Sequence, residues 1–487
     1  MMLHKPSVVA AALLAFASGC AVGPDYQRPD AATATAFKEA EGWVAAAPSD
    51  AIDRGTWWQL FDDAELDALA QRVQVSNQNI AAAQAAYAQA RALVSQQRAG
   101  LFPTIDLSGT ATRADSGGNR ASRVVTDANG QQSVIAGGGN INNNYRTSIG
   151  ASWEPDVWGR LRRSAEAADA STAASAADLA SATLSAQGEL VTNYLSLRAT
   201  DAEIGLLQQT LTGYERALQI AENRYRAGIA PRTDYLSAQT QLYGTQADME
   251  SLRRTRAQLE HAIAVLVGEA PARFQIEPAP WNAVVPGVPV GLPSTLLQRR
   301  PDIAAAERRV ANANAQIGVA RSAYYPSLSL SASYGSSSST VAELLDASTM
   351  LWSIGASAAQ TLFDFGARRA QLDQARAAYD QTVATYRQTV LAAFADVEDQ
   401  LTGSRVLERT EQLRQQASAI ADENERLVLN RYKAGQVVYS EVVTAQASAL
   451  SARRTLIQAQ RDRQTTAVAL IQSLGGGWSG AADTATP

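Results

Sequence analysis

Asp302–Gly335 reads DIAAAERRVANANAQIGVARSAYYPSLSLSASYG, and it changes character partway. Ile303, Val310 and Ile317 recur every seven residues in an Ala-rich run, the spacing of a helix face. After Tyr324-Tyr325-Pro326 the period drops to two. Leu328, Leu330, Ala332 and Tyr334 then face one way, and Ser327, Ser329, Ser331 and Ser333 the other, as in a strand. The same join occurs earlier. Ile80, Arg98 and Pro103 match Ile303, Arg321 and Pro326 at a constant offset of 223, with 11 identities over 79–108 and no gap. The chain is therefore a tandem duplication of a helix-to-strand unit.

The second strand of each unit follows a polar stretch. Ile105, Leu107, Gly109 and Ala111 alternate in the strand at about 104–113. Residues 114–143 read as a long Gly-, Asn- and Ser-rich loop. Tyr145, Thr147, Ile149, Ala151 and Trp153 then alternate over about 145–154. In the second half, strand 327–335 leads to 351–360, where Trp352, Ile354, Ala356 and Ala358 share a face. Each strand has about the 9–11 residues that cross a bilayer when tilted. Phe102, Trp153, Trp158, Tyr324 and Tyr325 stand near strand ends, where interfacial aromatics belong; ordinary packing is the plainer account of them.

Very long helices follow. Residues 159–226 contain no Pro and almost no Gly, and 68 residues of helix span roughly 100 Å. Their counterpart is 366–433, now at an offset of 207, so the two repeats differ only by a longer loop in the first. Tyr379, Val383, Tyr386, Val390, Phe394, Val397 and Leu401 form an 11-residue pattern of nearly straight packing. Val406, Leu413, Ile420 and Leu427 step by seven, as do Leu197, Ile204, Leu211 and Leu218, which predicts coiled coil. The helices end at matched turns, Asn223-Arg-Tyr-Arg-Ala-Gly228 and Asn430-Arg-Tyr-Lys-Ala-Gly435, with Gly for positive φ and basic side chains on the negative dipole end. Return helices cover 232–267 and 439–474.

The reading divides the chain as follows: signal peptide 1–19, N-terminal arm 20–61, first repeat 62–268, linker 269–293, second repeat 294–475 and tail 476–487. In the signal, the positive end Met1–Lys5 precedes the apolar run Val8–Ala17 and a small-residue site before Cys20, the chain's single cysteine. One cysteine forms no intrachain disulfide; its position after the apolar run makes it a lipidation candidate, and several acyl chains anchor firmly at about 0.8 kcal/mol per buried CH₂. With Ala21 next, outer-membrane sorting is expected. Asp62-Asp63 can cap the helix that follows Trp57-Trp58.

Charged residues are 18% and net charge is −5, which gives no reason to expect nucleic acid. The sequence has two histidines, and no metal-ligand cluster, nucleophile elbow or phosphate loop; Gly137–Gly139 falls in the polar loop. No catalytic residue, cofactor or metal is expected, and the protein reads as no enzyme.

Four amphipathic strands leave two open edges whose backbone groups hydrocarbon cannot satisfy. Copies of the same chain must close them. Two copies give the minimum of about eight strands, and three give 12 with a water-wide lumen. The expected fold is thus an α+β membrane protein: a homotrimeric 12-stranded β-barrel, four strands per protomer, continued by a long helical barrel. That geometry is a conduit. A periplasmic coiled-coil scaffold or adhesin with a soluble sandwich is the alternative, against which the paired alternating strands and the duplication argue.

Cys20-Ala-Val-Gly-Pro-Asp-Tyr-Gln-Arg-Pro29, Trp57-Trp58 with Phe61-Asp62, Arg299-Arg300-Pro301-Asp302-Ile303 and the two Asn-Arg-Tyr-x-Ala-Gly turns resemble the outer-membrane efflux protein family, in its TolC-like, NodT/OprM-type lipoprotein branch. The resemblance covers essentially the whole mature chain. It implies a homotrimeric exit duct in the outer membrane, lipid-anchored and extending into the periplasm of a Gram-negative cell. It further implies a periplasmic adaptor and an inner-membrane pump, most often of the RND type, exporting drugs, other small molecules or metal ions. In this family the periplasmic end is closed by inward coiling of the second-repeat helix pair just after the Tyr-x-x-Gly turn, which Tyr432 and Gly435 match. Members commonly have acidic residues in the next helical turn. Glu441 stands at one such position; at the other, Thr444 replaces the usual Asp. Tyr225, Gly228 and Asp234 are the first-repeat counterparts of Tyr432, Gly435 and Glu441. Three Glu441 side chains are expected to line the constriction; a solvated charge favoured by the helix dipole is the plainer reading.

Overall fold

The computed structural model describes residues 21–31, 37–38, 54–115, 123–126, 132–135, 141–287 and 300–476. The signal, Cys20, Arg299, part of the arm, the end of the linker and tail residues 477–487 lie outside the described residues. Two compact units are present. One comprises the described residues of Met1–Gln27, Arg91–Ser171 and Ala311–Gln381; the other comprises those of Arg28–Ala90, Thr172–Val310 and Thr382–Pro487.

The elements run α1 (Ala64–Ser76), α2 (Gln78–Ala99), β1 (Thr104–Asp115), β2 (Arg123–Thr126), β3 (Gln132–Ile135), β4 (Ile141–Trp153), α3 (Arg160–Arg226), α4 (Arg232–Leu266), α5 (Pro301–Ser322), β5 (Ser327–Ser338), β6 (Met350–Ala359), α6 (Ala367–Lys433) and α7 (Tyr439–Ser473). The helix limits follow their caps. Asp63 accepts the backbone N–H groups of Glu65 and Leu66, both at 3.0 Å, and starts α1. Gly228, Gly268, Gly435 and Gly475 take φ of +69°, +73°, +76° and +90°, which only glycine adopts without strain, and end α3, α4, α6 and α7. The caps repeat at the 207 offset. The Gly228 N–H reaches the Tyr225 carbonyl and the Gly435 N–H that of Tyr432, both at 2.9 Å. Among the described residues no helix is long and apolar enough to cross a membrane.

The sheet orders β1-β4-β5-β6, all antiparallel, and among the described residues both outer edges are open. Its register puts every alternating apolar set on one face. Leu107 lies opposite Ile149, Ile149 opposite Tyr334, and Tyr334 opposite Trp352. Hydroxyls pair across the other face: Thr104 with Ser152 at 2.7 Å, Ser108 with Ser148 at 2.9 Å, Ser329 with Ser357 at 2.7 Å and Ser333 with Ser353 at 2.8 Å.

One sequence reading changes. The loop 114–143 carries a second ribbon, with Arg123 opposite Ile135 and Thr126 opposite Gln132, and β4 starts at Ile141. The β-branched residues Val124, Val125, Val134 and Ile135 outweigh the surrounding Gly and Asn. The heptad of α6 is not buried within the chain: Ile420 is 70% exposed and Val406 53%. In this stretch α6 meets α7 through other residues, with Asp422 and Glu425 both paired to Arg453, so the leucine row points elsewhere. The straight-packed stretch is inside as read, with Tyr386, Val390, Val397 and Leu401 buried.

The helical unit has a large hydrophobic core. Trp58, Phe61, Leu66 and Val73 pack with Leu190, Tyr194, Ile263, Val397, Leu401 and Ile471. Buried Arg198 crosses this region, pairing with Glu65 and Asp201, donating to the Glu277 carbonyl at 2.8 Å and stacking on Tyr194 at 4.8 Å. Glu65 stands on α1 and Arg198 on α3, so the network ties the two helices together.

Candidate functional site

The C-terminal ends of the long helices bring the turn residues together. Ala221, Ala238, Tyr432, Tyr439 and Val442 form one buried cluster, drawn from α3, α4, α6 and α7. The Tyr432 and Tyr439 rings tilt against each other at 5.3 Å. Arg224 lies across this cluster, its guanidinium 4.7 Å from the Tyr432 ring centre and its Nη1 donating to the Tyr432 carbonyl at 3.3 Å. It thereby joins the first hairpin of helices to the second. Burial pushes the Tyr432 phenol upward and the Tyr439 phenol up to about 12. Both therefore stay neutral at any physiological pH.

Asp234, in the first turn of α4, is half-buried. Burial raises its carboxyl above the usual Asp value, and the nearby Arg224 charge pulls it back. Its counterpart Glu441 is exposed in the first turn of α7. Thr444 is exposed as well and donates its hydroxyl to the Ser440 carbonyl at 2.9 Å. The duplicated tyrosines differ in the same way. Tyr432 is 4% exposed, whereas Tyr225 is 41% exposed and stacks on Tyr235 at 6.3 Å. The structure thus gathers Tyr432, Asp234 and the unforeseen Arg224 and Tyr439, and leaves Glu441, Thr444 and Tyr225 on the surface. Arg224 stands one residue before Tyr225, where a basic side chain equally suits the negative end of the helix dipole, so the sequence does not single it out.

The second feature is the sheet. Its apolar face stands bare in the single chain: Leu107 is 78% exposed, Trp352 74% and Ile354 79%. A contiguous apolar face of this kind marks a surface that lipid or protein covers.

The third is the segment that follows Cys20. The Val22 N–H donates to the Trp158 carbonyl at 3.0 Å, and Asn314 Nδ2 to the Pro24 carbonyl at 3.0 Å. Buried Arg163 reaches Asp25 at 2.8 Å. A Cβ on Gly159 would lie 2.8 Å from the Ala21 Cα, and one on Gly23 2.6 Å from the Gly318 Cα, so neither glycine admits a side chain. Trp158 stacks on Tyr325 at 4.9 Å beside this segment.

Open strand edges, one apolar sheet face and duplicated 67-residue helices define a membrane protein of combined strand and long-helix type. The family model described as outer membrane efflux protein matches residues 69–269 and 292–476. The chain is 30% identical over 481 residues to outer membrane protein OprJ of Pseudomonas aeruginosa, covering 98% of this chain and 97% of that protein. It is 31% identical over 479 residues to the toluene efflux pump outer membrane protein TtgC of Pseudomonas putida, covering 97% and 96%. Its fold is similar to that of the outer-membrane channel OprN, with a TM-score of 0.83, 28% identity and coverage of 94% and 100%. The chain belongs to the outer membrane efflux protein family, and its function is efflux at the outer membrane.

Proposed function

We propose that three copies of this chain close into a 12-stranded barrel and form the exit duct of a tripartite efflux pump. One observation carries this reading: all four strands turn their apolar residues to one face, while the edges of β1 and β6 stay unpaired. A lipid environment covers the face, and only copies of the same edges close the ring without leaving backbone groups in hydrocarbon. The hydroxyl-lined face then meets water in the lumen. The exposed heptad row of α6 supports the same assembly, since a neighbouring copy would bury it.

Energy for transport comes from an inner-membrane pump, most often of the RND type, through a periplasmic adaptor. A groove of about 450 Å³ between α4 and α7, lined by Gln241, Asp248, Arg454 and Gln458 among others, offers the adaptor a polar surface. Cys20 carries the lipid, next to a segment already fixed at the strand–helix junction. The cluster of Arg224, Asp234, Tyr432 and Tyr439 acts as the latch of the periplasmic end, with Gly228 and Gly435 setting its turns and Glu441 lining the opening. Cargo is drugs, other small molecules or ions, with selection made in the pump because the duct wall is generic Ser and Thr.

Purified protein in detergent, sized by native mass spectrometry and added to planar bilayers, tests this. Trimers that pass ions are expected; a stable monomer with no conductance overturns the reading.

A further inference from the structure

The two halves of the sheet are copies to the level of single hydrogen bonds. Shifting the β1–β4 register by 223 on the first strand and 207 on the second turns Thr104 opposite Ser152 into Ser327 opposite Ala359, which is the observed β5–β6 register. Trp153 Nε1 donates to the Leu101 carbonyl at 2.9 Å, and at the shifted positions Gln360 Nε2 donates to the Tyr324 carbonyl at 3.0 Å. Two unlike side chains thus make the same bond.

The copies meet at the β4–β5 seam. There Gly150 lies opposite Ser333, and beyond the strands Trp158 stacks on Tyr325 at 4.9 Å with an interplanar angle of 23°. Applying the shifts to this seam moves β4 onto β6 and β5 onto β1, which are the two open edges. Trp158 becomes Phe365 and Tyr325 becomes Phe102. Within one chain these two rings do not meet; Phe365 is 92% exposed, beside Phe363 at 4.5 Å, and Phe102 is 69% exposed.

We infer that the subunit seam is a second edition of the β4–β5 seam. In it Ser357 lies opposite Thr110 of the next copy, Ala358 opposite Gly109, and Phe365 stacks on Phe102 of the next copy. The inference rests on the trimer reading and specifies its contact. Sidedness agrees, because Ala358 and Gly109 both belong to the apolar face and Ser357 and Thr110 to the polar one; a slip of one residue would reverse this. A slip of two would keep the faces but separate Phe365 from Phe102. One difference follows from the residue types. Trp158 Nε1 donates to the Pro326 carbonyl at 2.7 Å, and Phe365 has no donor to repeat that bond, so stacking and the backbone ladder hold the seam.

The test uses full-length lipidated protein carrying Thr110→Cys with Ser357→Cys, treated with a short bifunctional methanethiosulfonate reagent. A second protein carries Asp106→Cys with Ser357→Cys, four residues out of register and so about 13 Å away along the strand. Each single substitution serves as control, and native mass spectrometry first establishes the particle size. The first pair is expected to give covalent trimers on non-reducing gels, and the second none. Linking of the second pair in place of the first overturns the register. A trimer that neither pair links overturns the seam while the trimer stands. A monomeric particle overturns the trimer reading itself.

Discussion

Arg224→Met removes the guanidinium that joins the two hairpins at their turn ends while keeping most of the side-chain stem. The loss has two parts. A cation over an aromatic ring is worth about 0.5–1 kcal/mol when exposed and about 2 when desolvated; half-buried Arg224, at 4.7 Å from the Tyr432 ring, falls near about 1. The bond to the Tyr432 carbonyl is long at 3.3 Å, which places it at the lower end of about 0.5–1.5 kcal/mol. Together they come to about 1.5–2 kcal/mol, or about a 10- to 30-fold change in the ratio of open to closed tip. Single-channel recording in planar bilayers reads that ratio from dwell times. The cycle needs Arg224→Met, Tyr432→Leu and the double variant, with exposed Arg431→Met, the counterpart in the second repeat, as control. A coupling near 1 kcal/mol is expected from the cycle and little effect from Arg431→Met. Single-variant effects that add to within about 0.3–0.5 kcal/mol, or an equal effect of Arg431→Met, refute the latch.

Glu441→Ala should lower cation selectivity, and Thr444→Asp should raise it; unchanged reversal potentials in a salt gradient would remove Glu441 from the opening. Because burial sets the Asp234 pKa above its unfolded value of 3.8, the folded tip holds the proton more tightly, so tip stability rises as pH falls through the raised pKa and is lowest above it. Hydrogen exchange around Gly435 should therefore slow on acidification, after correction for intrinsic rates, and Asp234→Asn should flatten that trend. Gly435→Ala meets open space and carries only the left-handed backbone cost of about 1–2 kcal/mol, whereas Gly268→Ala adds an overlap with the Ser76 carbonyl; its thermal midpoint should drop further, and equal drops would contradict the packing.

The strands, their faces and the helix ends were legible because a period-two pattern and a repeated Gly are local signals. The duplication added long-range information: once 223 and 207 were known, the pairing of one hairpin implied that of the other. The ribbon at 123–135 was missed although Asp127-Ala-Asn-Gly130 between two β-branched pairs is a hairpin signal. The buried Arg198 network could not be read, since Glu65 lies 133 residues away and nothing in its neighbourhood marks it. At the helix ends the sequence treats Tyr225 and Tyr432 as equals. Only packing separates them, by placing Arg224 over one ring and Tyr235 against the other.

The close fit of Gly23 on Gly318 and of Ala21 on Gly159 has a mechanical consequence. A lipid tether on Cys20, as proposed above, would have little slack, because Ala21 lies close against Gly159 and the Val22 N–H is held by the Trp158 carbonyl. On the proposed lipidation and tripartite assembly, a pull from the pump would pass through this joint into the acyl chains, which would then brake movement inward. Lengthening this leash with a few flexible residues would leave the protein membrane-bound and remove the brake.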